Sequence, residues 1–171
     1  MILFHAPHSD GKYVRGPRGL PPWLESDVDD ASQTDAPVLI TGDADTAAWI
    51  ARLIYLRMAH CDGPFRVLDA ADTETSFGDR LNRILRDAAR SGARGVLFLR
   101  ELAAAGPAVQ AELNCWLGRP PGTGGAAPRL IASTTLPLED LTEAGGFDRA
   151  LYRRIARCQI RTHGAGDGTA G

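Results

Sequence analysis

The chain is poor in lysine: Lys12 is the only one among its 19 basic residues, and arginine supplies the rest. A phosphate site that needs a lysine ammonium has none to draw on beyond position 12. Cysteine is scarce too. Cys61, Cys115 and Cys158 are odd in number and widely spaced, so neither a disulfide framework nor a zinc site is suggested. They read as small buried residues in a reducing compartment. His60 and His163 have no partner at ligand spacing, so no metal site is expected. No run reaches the 18 or so apolar residues of a membrane span, and the start of the chain lacks a signal-peptide pattern. A cytoplasmic protein is expected. Neither charge sign dominates: the formal net charge of −2 gives no bulk attraction to nucleic acid or to anionic membrane. What is there, at 171 residues with 44% apolar and 23% charged side chains, is an ordinary globular composition, long enough for one domain with a real core.

The stretch 37–59 organises the rest. Val38-Leu39-Ile40-Thr41 is apolar and β-branched enough for a buried strand. Gly42-Asp43-Ala44-Asp45 follows as a turn, and Thr46 is placed to cap a helix whose Ile50, Leu53, Ile54 and Met58 share one face. Strand, glycine turn and helix form the frame of a phosphate-binding loop, G-x-x-x-x-G-K-S/T, in which bare backbone N–H groups wrap the phosphates. Gly42 supplies the first glycine, but the later positions are Ala47, Ala48 and Trp49.

Residues 1–36 read as an irregular arm. Met1-Ile2-Leu3-Phe4 suits a short strand, but Gly16, Pro17, Gly19, Pro21 and Pro22 argue against a long helix or a central strand. The arm is expected to be extended, tethered by Trp23. Residues 6–13, APHSDGKY, approach a relaxed phosphate-loop pattern, but the run ends in Tyr13 and no helix can follow through Gly16-Pro17.

Downstream, strands and helices alternate. Phe65-Arg66-Val67-Leu68, Gly95-Val96-Leu97-Phe98-Leu99, Arg129-Leu130-Ile131-Ala132-Ser133 and Cys158-Gln159-Ile160 read as further strands. Helices are expected around Leu81, Ile84, Leu85 and Ala88, from Pro107 to about Leu117, and over 147–156. A glycine-rich loop spans 122–125, and the glycine-rich tail after Thr162, residues 163–171, is too polar to order. The expected fold is a three-layer α/β/α domain over 37–162 with a mostly parallel five-stranded sheet.

Several ordered blocks over 37–160 resemble the AAA+ domain of bacterial enhancer-binding proteins that activate sigma-54. PVLITG at 37–42 is similar to the family's lead into its phosphate loop. Pro64-Phe65 and Phe77-Gly78 resemble the start of its second strand and the end of its E-L-F-G block. VLFLRE at 96–101 resembles its Walker B stretch, G-T-L-F-L-D-E, and VQAEL at 109–113 the helix after it. RLIAST at 129–134 is similar to R-I-I-A-A-T before the first sensor, and GFDRALYRRI at 146–155 to the arginine-finger helix.

The resemblance implies a P-loop NTPase-like core, and it assigns roles position by position. The nucleotide-loop positions are Gly42, Thr46, Ala47 and Ala48, with alanine where the family has glycine and lysine. Arg100 stands at the Walker B aspartate and Glu101 at the water-activating glutamate. A cation where magnesium should sit opposes the metal. Thr135 takes the sensor asparagine's place, and of two finger arginines the first is Asp148 while Arg154 remains. No G-A-F-T-G-A loop is present, and the run from Gly78 to Gly95 is too short for one. Neither the helical lid nor a helix-turn-helix is expected, so hexamer formation and direct DNA recognition are disfavoured. The implied function is a non-catalytic, regulatory protein-interaction domain linked to transcription or signalling, with no ATP or magnesium cofactor. The alternative is a residual nucleotide-binding domain. Structural readings of the surviving residues are a turn at Gly42, a salt bridge or solvation at Glu101, and surface pairing of Arg154 with Asp148 or Glu143.

Overall fold

Apolar runs with no alternation fold as strands covered on both faces. Three of these, Val38–Thr41, Val96–Arg100 and Arg129–Thr134, form the middle of a five-stranded sheet whose edge strands, Phe65–Asp69 and Cys158–Arg161, are partly exposed. The computed structural model describes residues 20–71, 74–119 and 126–162. The candidate strand 1–4, the run 6–13, the loop 122–125 and the tail 163–171 lie outside the described residues. In order come α1 (Pro22–Ser32), β1 (Val38–Thr41), α2 (Ala44–Arg57), β2 (Phe65–Asp69), α3 (Glu74–Ser91) and β3 (Val96–Arg100). A single 3-10 turn (Leu102–Ala104) leads into α4 (Pro107–Leu117), β4 (Arg129–Thr134), α5 (Leu138–Glu143), α6 (Arg149–Ile155) and β5 (Cys158–Arg161).

The strand order is β2-β3-β4-β1-β5, and every neighbouring pair is parallel. Alternate residues divide the core in two. Leu39, Leu97, Leu99, Leu130 and Ala132 face a layer of α3, α4, α5 and α6. Val38, Ile40, Val96, Phe98, Ile131 and Ile160 face α1 and α2. This is the three-layer α/β/α arrangement expected from the sequence.

The irregular arm is corrected over 22–32, where the chain is helical. Its prolines do not interrupt the helix; they precede and start it. Pro22 occupies the first turn, where its fixed φ is already helical and its missing N–H is no loss. Leu24, Val28 and Ala31 are buried one below another, and Arg57 of α2 reaches Glu25 and Asp29 at 3.2 and 2.6 Å. Trp23 is 44% exposed, so the tether is Leu24 and Val28. Arg129 fixes the helix end from below: its Nη2 donates to the Ala31 carbonyl and its Nε to that of Ala36.

One boundary moves, and one helix was not expected. The last long helix begins at Arg149, because the Asp148 carboxylate caps it by accepting from the Leu151 N–H, and Phe147 turns into the core. The short helix α5 follows Pro137, a stop-and-start signal of the same kind as Pro22.

Burial raises the Tyr55 and Tyr152 phenols and the Cys61 and Cys158 thiols above their usual range; for Tyr152 a hydrogen bond to Glu139 adds to it. The folded chain therefore keeps these protons to higher pH than the unfolded chain does. Stability should be fully present below the usual thiol range and fall steadily as pH rises through the thiol and phenol range. Denaturant midpoints at neutral and at alkaline pH check this, and a rising midpoint would contradict it.

Candidate functional site

In open parallel sheets, ligands sit beyond the carboxyl ends of the strands. That edge carries Gly42, Arg100, Glu101 and Thr135. Gly42 has φ 147, and a Cβ there would stand 1.8 Å from Thr162 Oγ1. Its N–H donates to the Thr134 carbonyl, while Thr162 N–H donates to that of Thr41. The chain leaving β1 is thus held on both sides.

Only Gly42 and Asp43 separate β1 from α2. Positions 44–47, which the loop pattern would spend on a phosphate cradle, are wound into helix. The cap is Asp43, correcting Thr46: Asp43 Oδ1 accepts from the Thr46 N–H at 2.9 Å and from the Thr46 hydroxyl at 3.0 Å. The Ala47 N–H donates to the Asp43 carbonyl. A carboxylate of the chain itself therefore lies where a helix N-terminus would hold a phosphate, and Asp45 adds a second charge in the first turn. Ala47 is fully buried against Ile50 and Ala51, and Ala48 and Trp49 pack on the same core. None of the three faces an open cradle.

Glu101 and Thr135 meet. Glu101 Oε1 accepts from the Thr135 N–H at 3.2 Å and from the Thr135 hydroxyl at 3.1 Å, at the exposed surface; of the two readings, solvated or salt-bridged, no salt bridge to it forms among the described residues. Glu101 also holds φ 50, the only positive value among described non-glycine residues, which costs about 1–2 kcal/mol for a residue with a Cβ. Its carbonyl takes the Ala104 N–H, so the 3-10 turn locks the bend. Arg100 lies 4.0 Å from Asp69 on the neighbouring strand and stays 54% exposed. Among the described residues no cluster of three or more His, Cys, Asp or Glu could hold a metal ion.

Arg154 is not brought to this edge. Its Nη1 donates to the Asn114 carbonyl at 2.8 Å at the end of α4, close to Gly118, and not to Asp148 or Glu143. The ends of α4 and α6 lie beside the starts of β4 and β5, the opposite edge of the sheet. Gln110, quoted in the sequence only as part of a helix block, proves to be a buried brace: it donates to Ala105 and accepts from the Asp148 N–H. Asp43 had a readable signal, an Asp three residues before the first committed helical N–H. Arg129 had none.

Residues 23–163 match the sigma-54 interaction domain. The chain belongs to that family. Among solved structures, NtrX from Brucella abortus in complex with ATP is similar at TM-score 0.69 and 24% identity, covering 82% of this chain and 36% of NtrX. NtrX in complex with ADP gives TM-score 0.68 at 22% identity, over 89% of this chain and 38% of that one. The P-loop NTPase domain of the sigma-54 transport activator from E. coli gives TM-score 0.61 at 20% identity, over 86% of this chain and 99% of that domain. The chain thus spans little more than a third of NtrX. A comparison with curated proteins returns no match. These likenesses establish a P-loop NTPase fold of the sigma-54 activator kind. Within that family frame, α3 runs unbroken from Glu74 to Ser91 and β3 starts at Val96, so the segment between Gly78 and Gly95 holds helix and a short turn. No helix among the described residues is long and apolar enough to cross a membrane.

Proposed function

We propose that this sigma-54 interaction domain is non-catalytic and works as a regulatory protein-interaction module, linked to transcription regulation or signalling. The observation that carries the reading is the Asp43 carboxylate capping α2, with the helix starting at Ala44. An incoming polyphosphate would have to displace that carboxylate, unwind the exposed first turn of α2 down to the buried Ala47 and bind beside two acidic side chains without a lysine. Arg100 adds a fixed cation where magnesium is needed, and Glu101 is engaged with Thr135.

A thermal shift with ATP, ADP and a non-hydrolysable analogue, each with and without magnesium, tests this. Ligand at about a hundred times its Kd would stabilise by roughly 2.7 kcal/mol, a rise of several degrees for a chain of this size. The expected result is no shift, and none in the Ala47→Gly, Ala48→Lys double variant, since Asp43 and Arg100 remain. ATP hydrolysis by the unaltered chain, abolished by Glu101→Gln, would overturn the reading. A second reading, residual nucleotide binding, is favoured by the exposed Arg100 at the crevice. It predicts a magnesium-independent shift that disappears in Arg100→Ala.

A further inference from the structure

Helix α3 buries Phe77 and Leu81 and turns Arg80, Arg83, Arg86 and Arg90 to solvent. Arg83, Arg86 and Arg90 fall at i, i+3 and i+7, so they form one row along the helix. Asp87 pairs with Arg90 and lies 3.8 Å from Arg66 of β2, one carboxylate between two guanidinium groups. Arg83 and Arg86 have no acidic partner among the described residues. Like charges at i, i+3 and i, i+4 destabilise an exposed helix by about 0.2–0.5 kcal/mol a pair. Nothing in the packing of α3 calls for this row, because its members point away from the core. Arg90 is engaged by Asp87, which leaves Arg83 and Arg86 as two exposed neighbouring cations free to meet a group outside the described chain.

The adjoining face of α3 opens on a cavity of about 300 Å³. Ile84 and Ala88 line it from the helix and Pro64, Val96 and Pro128 from below, with Arg66 and Asp87 at the rim. Four acidic residues, Glu25, Asp27, Asp29 and Asp30, gather on α1 in the opposite layer, while α3 sets Asp79 and Asp87 against its four arginines. The exposed arginines Arg83 and Arg86 thus stand beside a mainly apolar cavity whose lining also holds Asp62, Arg66 and Asp87.

We propose that the arginine row of α3 and the cavity beside it form a docking surface for an acidic segment of a partner protein that seats one apolar side chain in the cavity. Nucleic acid would use the arginines alone. It would leave the apolar cavity empty, and the exposed face of α3 carries no aromatic ring for bases to stack on. The proposal rests on the protein-interaction reading above, but it can fail separately.

The probe is a short, fluorescein-labelled Glu- and Asp-rich peptide with one central leucine, followed by anisotropy at about 0.1 M and about 1 M salt. Binding is expected at low salt, weakened at high salt, and weakened about tenfold or more by the Arg83→Glu, Arg86→Glu pair. That pair sets a carboxylate at position 83, four residues from both Asp79 and Asp87, so a small fall in melting temperature is expected; the Arg83→Gln, Arg86→Gln pair removes the charges without adding repulsion and should weaken binding in the same direction. Ala88→Leu, which fills the cavity without altering charge, should weaken the leucine peptide and leave its Leu-to-Ser version unchanged. Absence of binding at low salt, indifference to the arginine pair, or equal binding of the two peptides would each overturn the proposal. Tighter binding of a DNA duplex than of the peptide would overturn it in favour of nucleic acid. The nucleotide thermal shift is read independently: a shift there sinks the emptied-site reading and leaves this surface standing.

Discussion

Gly42→Ala should unfold the chain at a distinctly lower temperature than the parent. Two costs combine there. A Cβ would lie 1.8 Å from Thr162 Oγ1, and φ 147 belongs to a region that side-chain-bearing residues rarely enter. Strained backbone and overpacking each cost about 1–3 kcal/mol, so a loss of about 2–6 kcal/mol is expected. For a chain of this size that is a fall in Tm of roughly 5–15 °C. Adding Thr162→Ala should return much of the steric part, since only the residue's Cβ at 2.9 Å remains, and leave the backbone part. A Tm within a degree of the parent would mean that the exit of β1 is not held as described, and with it the tight Gly42-Asp43 connection. The experiment thus bears on the site: the same brace keeps α2 starting at Ala44, which denies the loop its cradle.

Arg129→Ala should have an effect of similar size, at the other end of the sheet. Arg129 is 7% exposed and its guanidinium serves two carbonyls, Ala36 at 2.9 Å and Ala31 at 2.7 Å. Hydrogen bonds from a charged donor contribute about 1.5–3 kcal/mol each. Against this, Nη1 is buried without a partner, and burial lowers the group's proton affinity, so removing the charge relieves part of the cost. A net loss of about 2–4 kcal/mol remains. Arg129→Lys should recover little, because a single ammonium cannot span two carbonyls as the planar fork does. Amide exchange locates the effect: α1 amides should lose protection before those of β1 and β4. Uniform loss across the sheet would mean that α1 is held by Leu24 and Val28 alone.

Much of the fold was legible because of how parallel sheets are built. Strands covered on both faces must be apolar throughout, so VLIT, VLFLR and RLIAST announce themselves without any knowledge of their neighbours. The family frame was legible for the same reason, since its blocks are the strands and the turns that follow them. Helix α1 was not. Its prolines and acidic run carry the same local signal as a loop, and it is helical because Leu24, Val28 and Ala31 find α2 and the sheet edge to cover them.

At the candidate site the residue identities were fixed by the sequence: alanine at 47 and 48, arginine at 100, threonine at 135. These decide which charges are available. Where those groups go is set by pairs far apart in the chain. Glu101 reaches Thr135, Arg154 reaches Asn114, and Gly42 is pressed against Thr162. No spacing rule over a few residues encodes such contacts, because each exists only once parallel strands bring distant turns to one edge. The sequence by itself determined the strands, the layers and the missing lysine. The tertiary structure decided that α2 begins one residue after Gly42-Asp43 closes, that a carboxylate of the chain takes the helix end, and that the arginines of α3 share a face beside a cavity.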